Sequence, residues 1–116
     1  MIRRKEDRNV EYREHMRGGD GTVQLNHIIH EPGELNDKGR LFSHMHLEKG
    51  CGIGWHVHEK DAELFYILNG TAEYSDNGEI VTLNAGDVSI CPAGTGHAIR
   101  NASEEPLDFI ALVLYV

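Results

Sequence analysis

The stretch "HVHEKDAELFYILNG", residues 56–70, places two histidines one residue apart and a glutamate five positions after the second. On a helix, side chains at i and i+2 point apart. On a strand they share a face. The pair therefore predicts a strand with His56 and His58 on one side and Trp55 and Val57 on the other. "EKDA", residues 59–62, reads as a polar turn in which Glu59 and Asp61 are solvated. "ELFYIL" reads as the returning strand, with Glu63, Phe65 and Ile67 on one face. A hairpin of these two strands would bring Glu63 opposite both imidazoles. Burying two imidazoles and a carboxylate without a common partner is costly. A divalent cation satisfies all three and leaves positions open for other ligands. The alternative is a buried His–Glu hydrogen-bond cluster.

A second stretch, "GDVSICPAGTGHAIRN", covers residues 86–101. Pro92 ends a strand, Gly94 and Gly96 permit a tight reversal, and His97 opens the next strand. The first block spells G-x(5)-H-x-H-x(4)-E-x(6)-G from Gly50 to Gly70. The second spells G-x(5)-P-x-G-x(2)-H-x(3)-N from Gly86 to Asn101. Together they resemble the two motifs of the cupin family, with every fixed position filled. The resemblance implies that His56, His58, Glu63 and His97 are metal ligands, and that the glycines, Pro92 and Asn101 form turns. The implied cofactor is one divalent transition metal. Mixed imidazole and carboxylate donors suit Mn, Fe, Co, Ni, Cu and Zn alike. Proteins of this family include dioxygenases, decarboxylases, isomerases and non-catalytic binding modules, so fold alone does not set activity.

Strand alternation then suggests a pocket. Phe65, Ile99, Phe109 and Ala111 are expected to line it, and the cupin resemblance implies Ser43 and Met45 as well, giving mostly apolar walls around one metal. Arg40 is the one basic candidate near it. Such a pocket suits a small organic substrate that chelates the metal through oxygen. The leading expectation is a metal-dependent, dioxygenase-like enzyme, with Glu63 as a proton acceptor. The alternative is a non-catalytic module that binds a small ligand or metal. A second H-x-H pair, His44 and His46, is expected on the opposite face of its strand, away from the metal. His15, His27 and His30 are expected on surfaces, with one of them able to reach the pocket mouth. Cys91 and Tyr74 read as packing residues.

The rest of the chain agrees with an all-β jelly-roll barrel. Apolar runs of four to eight residues alternate with turn signals such as "DNGE", residues 76–79, where Asn77 and Gly78 suit a type I′ hairpin. "VEYREHM" and "TVQLNHII" read as two strands joined by "RGGDG", and residues 30–39 as a loop at the pocket mouth. The expected division is an arm and loop over residues 1–40 packed on a barrel over residues 41–116, in one domain. A net charge of −8 argues against nucleic acid and anionic membranes as partners. Two cysteines without C-x-x-C spacing and no apolar leader point to a cytoplasmic protein. A chain of 116 residues closes a small core, and a homodimer is expected.

Overall fold

A computed structural model describes residues 1–116. Ten strands run along the chain: β1 (Val10–Glu14), β2 (Thr22–His27), β3 (Gly39–Leu47), β4 (Gly52–His58), β5 (Asp61–Asn69), β6 (Thr71–Asp76), β7 (Glu79–Asn84), β8 (Val88–Cys91), β9 (Thr95–Arg100) and β10 (Leu107–Tyr115). They form two antiparallel sheets, ordered β1-β2-β3-β10-β5-β8 and β4-β9-β6-β7. The only helical pieces are short 3-10 turns, among them Met16–Gly18 and Pro32–Leu35. No helix is long and apolar enough to cross a membrane. The all-β jelly-roll expectation holds, and so does the β6–β7 hairpin, where Asn77 (φ 50°) and Gly78 (φ 102°) take positive φ.

Alternation along the strands turns one face of each sheet into the core. Across the six-stranded sheet the inner side chains form rows. Met45, Phe109 and Ile67 make one row, and Ser43, Ala111 and Phe65 the next. Leu41, Val113, Glu63 and Cys91 make the row nearest the open end. Ile53, Tyr74 and Ile99 come from the other sheet to close the core. Fully burying such a side chain contributes about 1.5–3 kcal/mol.

The expected hairpin between the strands of His58 and Glu63 does not form. β4 pairs with β9 in the four-stranded sheet, whereas β5 pairs with β10 and β8 in the other. The turn after His58 therefore crosses from sheet to sheet, and Glu63 meets the histidines across the core. Sequence neighbours usually pair, but a sandwich must cross over somewhere, and the polar turn carries no mark of it.

Two bulges set side-chain direction at the open end. In β4, Ile53 pairs with Ile99 and His56 with His97, so Gly54 and Trp55 together oppose Ala98. That extra residue reverses the phase of the strand. Ile53 is buried at 3% exposure, yet Trp55 two positions on is 50% exposed, and His56 and His58 turn inward. In β3, Leu41 pairs with Val113 and Gly39 with Leu114, leaving Arg40 as the extra residue. The bulge aims Arg40 at the cavity instead of the outer face.

The N-terminal strands continue the six-stranded sheet beyond β3 and curl over its open end. The turn at Met16–Gly18 rests directly on β4. A Cβ on Gly54 would strike the Arg17 carbonyl oxygen, and one on Gly19 would strike the Gly52 carbonyl oxygen. Glycine is required for this backbone-to-backbone approach. The start of the chain is tied down by Arg3, whose two guanidinium nitrogens donate to both Glu34 oxygens at 2.7 Å.

Candidate metal centre

His56 and His58 come from β4, His97 from the adjacent β9 and Glu63 from the facing sheet. His56 and His97 are register partners, so β4–β9 pairing alone places two imidazoles side by side. The His97 Nε2 atom lies 3.1 Å from His56 Nε2 and 3.2 Å from His58 Nε2. Glu63 Oε1 lies 2.9 Å from His97 Nε2, 3.1 Å from His58 Nε2 and 3.6 Å from His56 Nε2. All four donor atoms fall within 4.8 Å of one another, a group able to hold a metal ion. Bonds of about 2.1 Å hold donors at right angles about 3.0 Å apart, and tetrahedral donors about 3.4 Å apart. The observed separations bracket those values.

The other ring nitrogens are committed elsewhere. His56 Nδ1 donates to the Gly54 carbonyl at 2.8 Å, inside the β4 bulge. His58 Nδ1 donates to Asp61 Oδ1 at 2.6 Å, and Asp61 Oδ2 accepts from Arg40 Nε at 2.9 Å. His97 Nδ1 lies 2.8 Å from the Tyr74 hydroxyl. With each Nδ1 engaged, the Nε2 lone pairs converge on one point beside a carboxylate oxygen. A divalent cation between the three Nε2 lone pairs and the carboxylate would satisfy all four groups. The donor set therefore fits a divalent metal.

The same atoms also hydrogen-bond to one another as a His–Glu cluster. Burial opposes ionisation of Glu63, but His56, His58 and His97 overcome it and hold the carboxyl well below the usual range. Burial pushes His97 down, towards the neutral ring that coordinates metals. Glu63 and then Asp61 raise His58, against its own burial. Burial lifts the Tyr74 hydroxyl to about 12, so it stays protonated.

A cavity of about 530 Å³ opens onto the group. Leu41 and Val113, from the outermost inner row, form part of its wall beside Glu63. Apart from Met16, the remaining wall is polar and mostly cationic, with Arg13 from β1, Arg17 from the turn on β4, Arg40 from the β3 bulge, and His27 and Glu14. This differs from the apolar pocket expected. Ser43, Met45, Phe65, Ile99, Phe109 and Ala111 all lie at 3% exposure or less and do not line the cavity. They belong to the core or to the rows beneath the group, with Phe65 stacked on His97 at 4.9 Å. The expectation set the cavity one and two rows too deep.

Asp61 is not a solvated turn residue, since its side chain is 14% exposed and bonded on both sides. Its position two before Glu63 on β5 places both on one face. Tyr74 likewise reaches a histidine as well as packing. Arg13 and Arg17 had no local signal, because only the folding back of the arm brings them here. His27 is the N-terminal histidine that reaches the mouth. His44 and His46 point away from the group, and both bond Asp108 Oδ1 at 2.8 Å. Cys91 is buried against Thr95, and burial pushes its thiol up.

The family model described as "Cupin domain" matches residues 43–114. The "Oxalate-binding protein" of Thermotoga maritima is 36% identical over 114 residues, covering 98% of this chain and 93% of that one. A solved structure described as a predicted oxalate decarboxylase from Thermotoga maritima matches with TM-score 0.94 at 35% identity, covering 100% of both chains. Quercetin 2,3-dioxygenase of Escherichia coli K12 is 39% identical over 70 residues, which are 60% of this chain and 29% of that enzyme. With both sequence blocks filled, the sheets in place and these matches, the chain belongs to the cupin family.

Proposed function

We propose that this protein binds one divalent transition metal through His56, His58, Glu63 and His97, and through that metal captures a small oxygen-rich anion of which oxalate is the simplest. The observation that carries the reading is the convergence of three Nε2 atoms and a buried carboxylate oxygen at the base of a cavity rimmed by arginines. The metal supplies positive charge and open positions for chelating oxygens. The chain does the rest. Tyr74, Asp61 and the Gly54 carbonyl orient the three rings, while Leu41 and Val113 shield one side. Arg13, Arg17 and Arg40 put cations at the mouth of an otherwise acidic protein, drawing anions in. The likeness to a protein named for binding oxalate supports this class of ligand.

The test is the metal content of untagged protein purified without a metal column, followed by calorimetric titration with oxalate. About one metal per chain is expected, with most of it lost in His58→Ala and His97→Ala. Oxalate binding should vanish when the metal is stripped. Full occupancy in both variants, or oxalate affinity that survives stripping, would overturn the reading. A second reading, a metal-dependent oxygenase with Glu63 as proton acceptor, is favoured by the likeness to quercetin 2,3-dioxygenase. It predicts oxygen uptake by the Fe(II) or Mn(II) form with an oxygen-chelating substrate, abolished in Glu63→Ala.

A further inference from the structure

Arg17 is unusual in its backbone and in its side chain. It sits at φ 54°, ψ 30°, in the left-handed region that costs a side-chain-bearing residue energy and that glycine would occupy freely. Strain of this kind persists where the surrounding structure over-determines it, often at ligand sites. Here Gly19 and Gly54 provide the hold, letting the backbone of the turn lie against β4. Finally, Arg17 lines the cavity without an ion pair, although acids outnumber basic residues 19 to 11. The two other arginines of the wall are already matched. Arg13 is bonded to Glu11 at 2.6 Å, and Arg40 to Asp61 at 2.9 Å. The cavity therefore offers one uncommitted guanidinium, on a turn packed against β4, in the same space as the metal group.

The size of that space bears on the ligand. A water occupies about 30 Å³ in the liquid, so oxalate, with six heavy atoms, takes roughly three times that. Most of the 530 Å³ would remain unfilled with oxalate alone. A ligand that used the room would carry a chelating oxygen pair at one end and a second negative group at the other. Arginine binds a carboxylate through two parallel N–H donors, which sets orientation as well as charge.

Resting on the metal reading above, we propose that the cavity is a two-point receptor for elongated dianions, with the chelating end at His56, His58, Glu63 and His97 and the distal carboxylate on Arg17. The ligand class is a 2-oxo or 2-hydroxy dicarboxylate longer than oxalate. Arg17 acts as a specificity residue. It selects the far end of the ligand and leaves metal binding alone.

The experiment is calorimetric titration of the metal-loaded protein with three probes: oxalate, 2-oxoglutarate and 2-oxobutyrate. The last two share the chelating end and differ in the distal carboxylate. The wild type should bind 2-oxoglutarate about tenfold to a hundredfold more tightly than 2-oxobutyrate. Arg17→Gln should erase that preference with metal content unchanged, lowering oxalate affinity far less than 2-oxoglutarate affinity, and Arg17→Lys should restore part of it. Arg17→Gly relieves the backbone strain, so it should melt no lower than wild type and still lose the preference. Equal affinity for the two probes in the wild type, or a preference that survives in Arg17→Gln and Arg17→Gly, would overturn the inference while metal and oxalate binding stand. A wild-type chain that binds no metal would overturn both readings.

Discussion

At the scale of single residues, the centre depends on groups that never touch the metal position. Each imidazole is aimed by a different acceptor: a backbone carbonyl, a carboxylate and a phenol. Such outer partners typically set metal affinity within a factor of 10–100. Tyr74→Phe and Asp61→Asn are each expected to weaken metal binding by about tenfold or more, with the fold retained. Competition against a chelator of known affinity measures this, and unchanged affinity in both variants would refute the orienting role. Asp61→Asn should also loosen Arg40, whose side chain bonds only Asp61. His56 and His58 were legible as one face of a strand from their i, i+2 spacing, whereas Glu63 was placed by a hairpin that does not form and His97 came with the family resemblance. Asp61 was half legible. It shares the face of Glu63, but its neighbours read as a turn. Arg17 was not legible, since nothing local relates residue 17 to residue 54.

At the scale of elements, the second histidine pair acts as a clasp. His44 and His46 of β3 share Asp108 of β10, and Asp108 Oδ2 accepts from Asn69 of β5 at 2.9 Å. Three strands are tied at one end by four side chains. Glu48 and then Asp108 raise His46, and burial works against them. Burial opposes ionisation of Asp108, but His46, Asn69 and His44 hold its carboxyl below the usual range. A depressed carboxyl stabilises above its unfolded value, about 3.9, and loses that contribution as pH falls through the folded value. A raised imidazole stabilises fully below about 6.5 and loses its share as pH rises through the folded value. The clasp should be strongest between those limits. Thermal melts of wild type and Asp108→Asn should differ most near pH 5–6 and converge towards pH 3 and pH 9, within about a unit. A difference independent of pH would remove the clasp. The strands themselves were readable from alternation and turn residues. Their partners were not, because a crossing between sheets and a one-residue bulge leave no local pattern, yet each redirects every side chain that follows.

At the scale of the whole molecule, one face lacks cover. The outer side of β10, β5 and β8 presents Ile110, Tyr66 and Val88 in one row and Leu112, Leu64 and Ile90 in the next. Tyr66, Val88 and Ile90 are 47%, 54% and 60% exposed. No charged residue stands in those two rows, although the chain carries a net charge of −8, so two copies can meet there without repulsion. β1 pairs with β2, and β2 with β3, of the same chain. A homodimer joined through the bare sheet face is the expected state. Light scattering at micromolar concentration should show a dimer, and Ile90→Lys should give a monomer that keeps its metal. A wild-type monomer would refute this.

The strand order also has a consequence in time. β10 lies at the centre of the six-stranded sheet, between β3 and β5, yet it follows the nine other strands in the chain. Until it emerges, β3 has only β2 beside it, and β5 only β8. The nascent chain therefore holds two half-sheets with open edges, and the strand carrying Glu63 has nothing to fix it opposite the histidines. Non-local pairing of this kind is slow and leaves edges exposed. Early metal could meet His56, His58 and His97 on the β4–β9 pair, but Glu63 is locked in place only once β10 has followed all the other strands.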